Sequence, residues 1–328
     1  MNTQVPATAL CVSDLVVHFP LSDGKVVHAV DGISFEVPVG TAFGLVGESG
    51  SGKTTAALAC ARLVEATSGT VQLGDIDITQ ATGNALREAR RDIQVVFQDP
   101  FSSLNPRERA GSIVRRPLDL MRIGTPAERE RRVDDLFATV GLRPEQKTLF
   151  PHQFSGGQRQ RIGIARALAT NPRLIVCDEP VSALDVAIQA QILNLLARLK
   201  RELGLSYLFI SHDLAVVQHL CERIAVMYLG QIVEIGSRQE IFRKPMHPYT
   251  MALISAVPST EMDTADTRIR VKGDPPSPIS LPPGCRFAGR CPYAVPRCSE
   301  SLPELVTRDG SHSVACFRAD EPELQIKR

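Results

Sequence analysis

Short apolar runs open the chain. LVVHF, VVHAV, ISFEV and AFGLV, between residues 10 and 46, are β-branched or aromatic and are parted by Asp-Gly, Pro and Gly, which predicts strands joined by turns. A helical pattern follows from Thr54 to about Val64; VQLGDIDI then returns to strand, and IQVVFQ (Ile93 to Gln98) is another. From about Ser102 to Phe150 the chain turns polar and helical, with arginines among glutamates and aspartates, as expected of solvated helix faces. RLIVC is a continuous apolar run of the kind a strand buried on both faces carries. Leu184, Ile188, Ile192, Leu195, Leu199 and Leu203 recur at helical spacing, and SYLFI, ERIAVMYLG and QIVEIG supply further strands. This alternation predicts an α/β fold whose mostly parallel sheet is covered by helices. Around Pro258 the texture changes: Pro275, Pro276, Pro278, Pro282 and Pro283 precede a cysteine cluster, so a linker and a small appended module are expected. No internal repeat is visible.

Composition narrows the class. The 328 residues are 43% hydrophobic and 22% charged, ordinary for a globular protein long enough for more than one domain. The 37 basic and 36 acidic residues nearly cancel, which argues against nucleic acid as the partner. No apolar stretch reaches the roughly 18 residues of a membrane span. The start, MNTQVPATALCVSDLVVHF, has no basic segment before an apolar run, so no export signal is expected and the eight cysteines should be reduced thiols in the cytosol.

Chemistry enters at Gly47-Glu48-Ser49-Gly50-Ser51-Gly52-Lys53-Thr54, which fits G-x-x-x-x-G-K-[ST] between strand AFGLV and a helical run. Glycines let backbone N–H groups turn inward and cradle phosphate oxygens, at the positive end of the helix that follows. Lys53 adds a point charge near the transferred phosphate, and the Thr54 hydroxyl, next to Thr55, can ligate Mg2+. Downstream, LIVC runs into Asp178 and Glu179. In a parallel sheet such a strand end faces the nucleotide. Asp178 is placed to hold Mg2+, directly or through water, and Glu179 to polarise the water that attacks the γ-phosphorus.

Further motifs bring in a family. Phe154-Ser155-Gly156-Gly157-Gln158 before RQRIGIARALA resembles the signature motif of ATP-binding cassette (ABC) ATPases, with Phe where Leu is commoner. Gln98 in VFQDP is similar to the Q-loop glutamine, Ser182-Ala-Leu-Asp185 to the D-loop, and His212 in FISHD to the switch histidine. The resemblance implies ATP and Mg2+ as ligands. It makes Glu179, His212, Gln98 and Lys53 the catalytic set, with Thr54, Gln98 and Asp178 at the metal. Ser155, Gly156, Gly157, Gln158 and Asp185 would act in trans on ATP held by a second ATPase chain. Phe19 is the candidate to stack on adenine, although Phe35 lies closer in sequence and a core role is open.

VFQDPFSSLNPR, DEPVSALDVAIQAQILNLL and KPMHPYTMALISAVP resemble the ATP-binding subunits of dipeptide and oligopeptide permeases, the likeness spanning about Ala9 to Phe317. It implies a P-loop ATPase core of the ABC type over residues 1–245. That core would have an N-terminal antiparallel β subdomain and an inserted helical subdomain at about 101–166, with a cysteine-rich extension at 246–328. It also implies a peripheral subunit at the cytoplasmic face of the membrane. Its partners would be a second, different ATPase chain, two transmembrane permease subunits and an extracytoplasmic solute-binding protein, with no nucleic acid. Nickel or a small sugar as cargo, or a soluble non-transport ATPase, are the rival readings.

Four of the eight cysteines, Cys285, Cys291, Cys298 and Cys316, lie in the last 44 residues, at intervals of five, six and seventeen residues. The paired C-x-x-C of zinc knuckles is absent. Four thiolates can ligate zinc or a [4Fe–4S] cluster, or the thiols can pack as small hydrophobes; the family resemblance implies the cluster. Cys11, Cys60, Cys177 and Cys221 fall in strand or helix patterns and are expected to be buried.

Overall fold

The apolar runs become two sheets. A computed structural model describes residues 8–256, 271 and 273–321. The strands are β1 (Thr8–Pro20), β2 (Val26–Pro38), β3 (Ala42–Val46), β4 (Ser68–Leu73), β5 (Ile76–Asp77), β6 (Ile93–Val96), β7 (Leu174–Asp178), β8 (Ser206–Ser211), β9 (Arg223–Tyr228), β10 (Gln231–Ser237), β11 (Val306–Asp309) and β12 (His312–Val314). The helices are α1 (Lys53–Cys60), α2 (Gly83–Asp92), α3 (Ala110–Met121), α4 (Pro126–Thr139), α5 (Gly156–Leu168), α6 (Val186–Leu203), α7 (Leu214–Leu220), α8 (Arg238–Arg243), α9 (Pro248–Ser255) and α10 (Pro296–Glu300). β2, β1, β4 and β5 form an antiparallel sheet in that order. The second sheet runs β11-β12-β10-β9-β3-β8-β7-β6, parallel from β9 to β6 and antiparallel at the β11 edge.

The central strands are buried on both faces, and their side chains alternate between two cores. Phe43, Leu45, Leu174, Val176, Leu208 and Ile210 pack with α1 and the antiparallel sheet. Ile175, Cys177, Tyr207 and Phe209 pack among the helices that follow β6. A parallel sheet clamped in this way directs the carboxyl ends of β3, β7 and β8 toward one rim.

Several expectations are revised. VVHAV and ISFEV are one strand, β2, because Asp31-Gly32 is a bulge rather than a turn. The register jumps from Leu15↔Ile33 to Val16↔Asp31, and Gly32, at φ 78°, absorbs the extra residue. The first helix ends at Cys60 rather than about Val64, since Arg62 turns left-handed (φ 54°) and Leu63 and Val64 donate back to the Leu58 carbonyl. The polar stretch after Ser102 holds α3 and α4 followed by two 3-10 turns, Pro144–Thr148 and Pro151–Gln153. Its charges are not all solvated singly: Arg129 pairs with Asp119 at 2.8 Å, and Lys147 with both Glu130 and Asp134 at 2.7 Å. Cys60, Cys177 and Cys221 are buried, but Cys11 is only half-buried on β1. The texture change expected at Pro258 lies outside the described residues. Among those residues no helix is long and apolar enough to cross a membrane.

The carboxy-terminal residues join the core sheet: β12 pairs with β10, where Glu234 lies opposite Val314. The Glu234 side chain is fully buried and accepts from the backbone N–H of Met246 (2.7 Å) and His247 (3.0 Å), with His312 Nε2 at 2.7 Å. Glu234→Ala would leave these donors buried and unpartnered, so a loss of about 3 kcal/mol or more is expected in chemical denaturation. Glu234→Gln, which keeps an acceptor, should lose less.

Candidate functional site

Past Val46 the chain turns through a glycine-rich loop into α1. Gly52 sits at φ 99°, and a Cβ there would come within 2.0 Å of the Ala29 carbonyl oxygen, so the loop passes too close to β2 for any side chain. The loop delivers Lys53 to a buried position, 4% exposed. Its Nζ donates to the carbonyls of Gly47 (2.8 Å) and Glu48 (2.7 Å) and lies 3.3 Å from Ser51 Oγ. Burial draws the Lys53 pKa below the usual ammonium value against the opposing pull of Glu179, Asp178 and Glu48.

Thr54 Oγ1 donates to Asp178 Oδ1 at 2.9 Å, bringing the start of α1 to the end of β7. Burial lifts Asp178 above the ordinary carboxylate range, and neighbouring Glu179 adds to the shift while the Thr54 bond and Lys53 oppose it. An oxygen pair of this kind can hold Mg2+. Glu179 adopts a left-handed backbone (φ 43°), which costs a side-chain-bearing residue energy and turns its carboxylate off the strand. Glu179 Oε2 accepts from Gln98 Nε2 at 3.0 Å and lies 3.1 Å from His212 Nδ1. Gln98 follows β6 and His212 follows β8, so three neighbouring parallel strands deliver one cluster.

Glu48, Ser49, Gly50, Gly52, Lys53, Thr54, Thr55, Gln98, Glu179 and His212 all line a single cavity of about 640 Å³. Gly47, Ser51 and Asp178 lie behind this wall as partners of Lys53 and Thr54. Phe19, 41% exposed on β1, does not line it but pairs with Val27 of β2, which does. Phe35 is buried and stacks on Phe43 at 4.9 Å. Four further lining residues, Val27, Ala29, Leu253 and Pro278, are not marked as such by any motif. They carry no chemical side chain, and only the folded chain shows that α9 and the proline stretch reach this cavity.

Ser155, Gly156, Gly157, Gln158 and Asp185 do not line it. Ser155 caps α5, accepting from Gln158 N–H at 3.4 Å, while Gln158 Oε1 accepts from Ser155 N–H at 3.0 Å. Asp185 caps α6 by accepting from Ile188 N–H at 3.0 Å. The two helix starts touch: a Cβ on Gly157 would lie 2.5 Å from Ile188 Cγ2. These capped helix starts therefore form a second edge, apart from that cavity.

Cys285, Cys291, Cys298 and Cys316 surround one small, mainly apolar cavity with Phe287, Tyr293 and Phe317. All four are free thiols. Burial raises Cys285, pushes Cys291 up to about 11 and pushes Cys316 up to about 12, with neighbouring sulfurs adding to each. Among the described residues no three of these sulfurs come within 4.8 Å of one another, whereas sulfurs around one tetrahedral zinc stand about 3.8 Å apart for Zn–S bonds of about 2.3 Å. His18, His28 and Asp31 do gather three donor atoms that could hold a metal ion. There the second Asp31 oxygen is already occupied by the Arg286 guanidinium.

The ABC transporter family matches residues 30–182, and the oligopeptide/dipeptide transporter C-terminal region matches residues 233–298. The oligopeptide transport ATP-binding protein AppF of Bacillus subtilis is 49% identical over 318 residues, covering 94% of this chain and 97% of that protein. A probable peptide ABC transporter ATP-binding protein of Sinorhizobium fredii, y4tS, is 48% identical, covering 94% and 89%. Among solved structures, the dimeric post-hydrolysis state of the ATP-binding cassette MJ0796 with ADP and Pi has a TM-score of 0.63 at 28% identity, covering 70% of this chain and 98% of that one. The protein cbiO1 of Clostridium perfringens, part of the ABC transporter complex cbiONQ, has a TM-score of 0.64 at 27% identity, covering 73% and 92%.

Proposed function

The chain belongs to the ATP-binding subunits of ABC transporters, in the group with the oligopeptide/dipeptide C-terminal region, and from that premise we propose that it hydrolyses ATP to drive peptide import through separate membrane subunits. One observation carries the chemistry: Glu179, held by Gln98 and His212, shares a cavity with Lys53 and with Thr54, whose hydroxyl donates to Asp178.

The loop N–H groups and Lys53 bind the β- and γ-phosphates. Thr54, Asp178 and Gln98 are the residues that would hold Mg2+, which would neutralise phosphate charge. Glu179 orients and polarises the attacking water, and His212 fixes its carboxylate while facing the γ-phosphate. Phe19 stacks on adenine. The edge formed by Ser155–Gln158 and Asp185 closes over ATP bound to a second ATPase chain. The dimeric cassette relative with ADP and Pi supports that arrangement. ATP contacts both faces in the closed state, so its binding shifts the population toward closure.

Phe97, Phe101 and Leu120 are exposed beside Gln98 and on α3. Exposed apolar side chains of this kind suit the coupling elements of two membrane permease subunits, which would hold the chain at the cytoplasmic face. A solute-binding protein outside would select the peptide. ATPase activity in the complete transporter should rise with peptide-loaded binding protein; a flat response to peptide, with a rise for another solute, would overturn the choice of cargo.

For the four cysteines we favour a [4Fe–4S] cluster over zinc. The converging free thiols support a metal-binding role, and sulfurs that each ligate a different iron stand wider apart than ligands of one ion. Such a cluster would supply a redox-active, rigid cross-link among the segments that hold the cysteines. Anaerobically purified protein should contain iron and acid-labile sulfide; zinc alone, or neither metal, would remove the assignment.

A further inference from the structure

The segment that begins the cysteine cluster also reaches the phosphate loop. Arg290, next to Cys291, is 11% exposed at its side chain and grips Glu48 with both terminal nitrogens, Nη1 to Oε2 at 2.8 Å and Nη2 to Oε1 at 3.3 Å. Nη1 also lies 3.3 Å from the Tyr228 hydroxyl, Nε donates to the Gly273 carbonyl at 3.2 Å, and the guanidinium sits 5.8 Å from the Tyr228 ring centroid. The Glu48 backbone N–H donates to the Tyr249 hydroxyl at 2.7 Å. Four residues earlier Arg286, also buried, donates to the Leu229 carbonyl and to Asp31 on β2. The segment from Cys285 to Cys291 is thus tied to the phosphate loop through Glu48 and to β2 through Asp31.

Glu48 is a carboxylate in a loop built to receive a triphosphate, and it lines the cavity. Left unpaired, its charge would oppose the ligand across a partly desolvated space. A bidentate arginine cancels that charge and fixes the carboxylate at the same time. We propose that Arg290 is a positioning residue of the ATP site, acting through Glu48, so that the C-terminal segment is a component of the nucleotide site in its own chain. The dimer partner is not needed for this effect.

The inference rests on ATP occupying the cavity, which titration of the unaltered full-length chain checks first; no ATP binding there would sink that reading, not this one alone. Arg290→Ala is expected to weaken ATP binding about tenfold, a change of about 1.4 kcal/mol, with adenosine affinity moved much less because it lacks phosphates. Glu48→Gln alone should tighten ATP binding by up to about threefold, and Arg290→Ala combined with Glu48→Gln should recover affinity to within about twofold of the unaltered chain. Arg290→Lys, which keeps charge without the fork, should lie between. Unchanged ATP affinity in Arg290→Ala, or a double variant as weak as Arg290→Ala alone, would overturn the proposal and leave Arg290 as a rivet of the fold.

Discussion

Replacing Glu179 by Gln is expected to leave ATP bound while turnover in the complete transporter falls by on the order of 10²-fold or more, the scale of a lost general base. The amide occupies the same space and keeps an oxygen for Gln98 Nε2 and His212 Nδ1, now 3.0 and 3.1 Å from Oε2. The strained backbone at φ 43° still aims the side chain into the cavity. What goes is the negative charge that polarises water. Removing it beside an anionic ligand should hold or tighten ATP binding, so affinity and turnover move apart. ATPase assays paired with nucleotide titration check this, and undiminished turnover would contradict the role.

Lys53→Ala should do the opposite and strike binding itself. The ammonium is buried and donates to the Gly47 and Glu48 carbonyls. Its truncation removes a charged donor to the phosphates and frees the loop it holds. A hydrogen bond to a charged group contributes about 1.5–3 kcal/mol, so ATP affinity should fall by on the order of 10²-fold once the looser loop is included. Titration shows the loss, and a thermal melt shows that the fold survives. Affinity within about twofold of the unaltered chain would contradict this placement of the phosphates.

The parallel core and the chemical cluster were legible because their signals are local. RLIVC predicts a strand buried on both faces, and β7 is one; the motif spacing puts Lys53 and Thr54 at the start of α1 and Asp178 and Glu179 at the end of β7. Asp31-Gly32 reads as a turn in sequence because a bulge and a turn draw on the same glycine freedom, and only strand pairing separates them. The Arg290–Glu48 and Arg286–Asp31 pairs were invisible. Their partners are separated by most of the chain, and a lone arginine in a proline- and cysteine-rich stretch has no period or spacing to betray it. Nothing in the sequence places Leu253 and Pro278 at the cavity, because a lining residue without a reactive group has no signature there. The β12–β10 pairing was hidden too, since His312-Ser-Val314 is too short to be told from a loop.

The nucleotide sandwich can be seen in a structure of the Glu179→Gln variant with ATP and Mg2+, assembled with its partner ATPase and membrane subunits. The expected result is one γ-phosphate gripped by Lys53 of this chain and by the partner's signature serine, with Ser155 of this chain on the partner's ATP. Nucleotide bound in a cavity that no second protomer covers, with Ser155 remote from any phosphate, would contradict it.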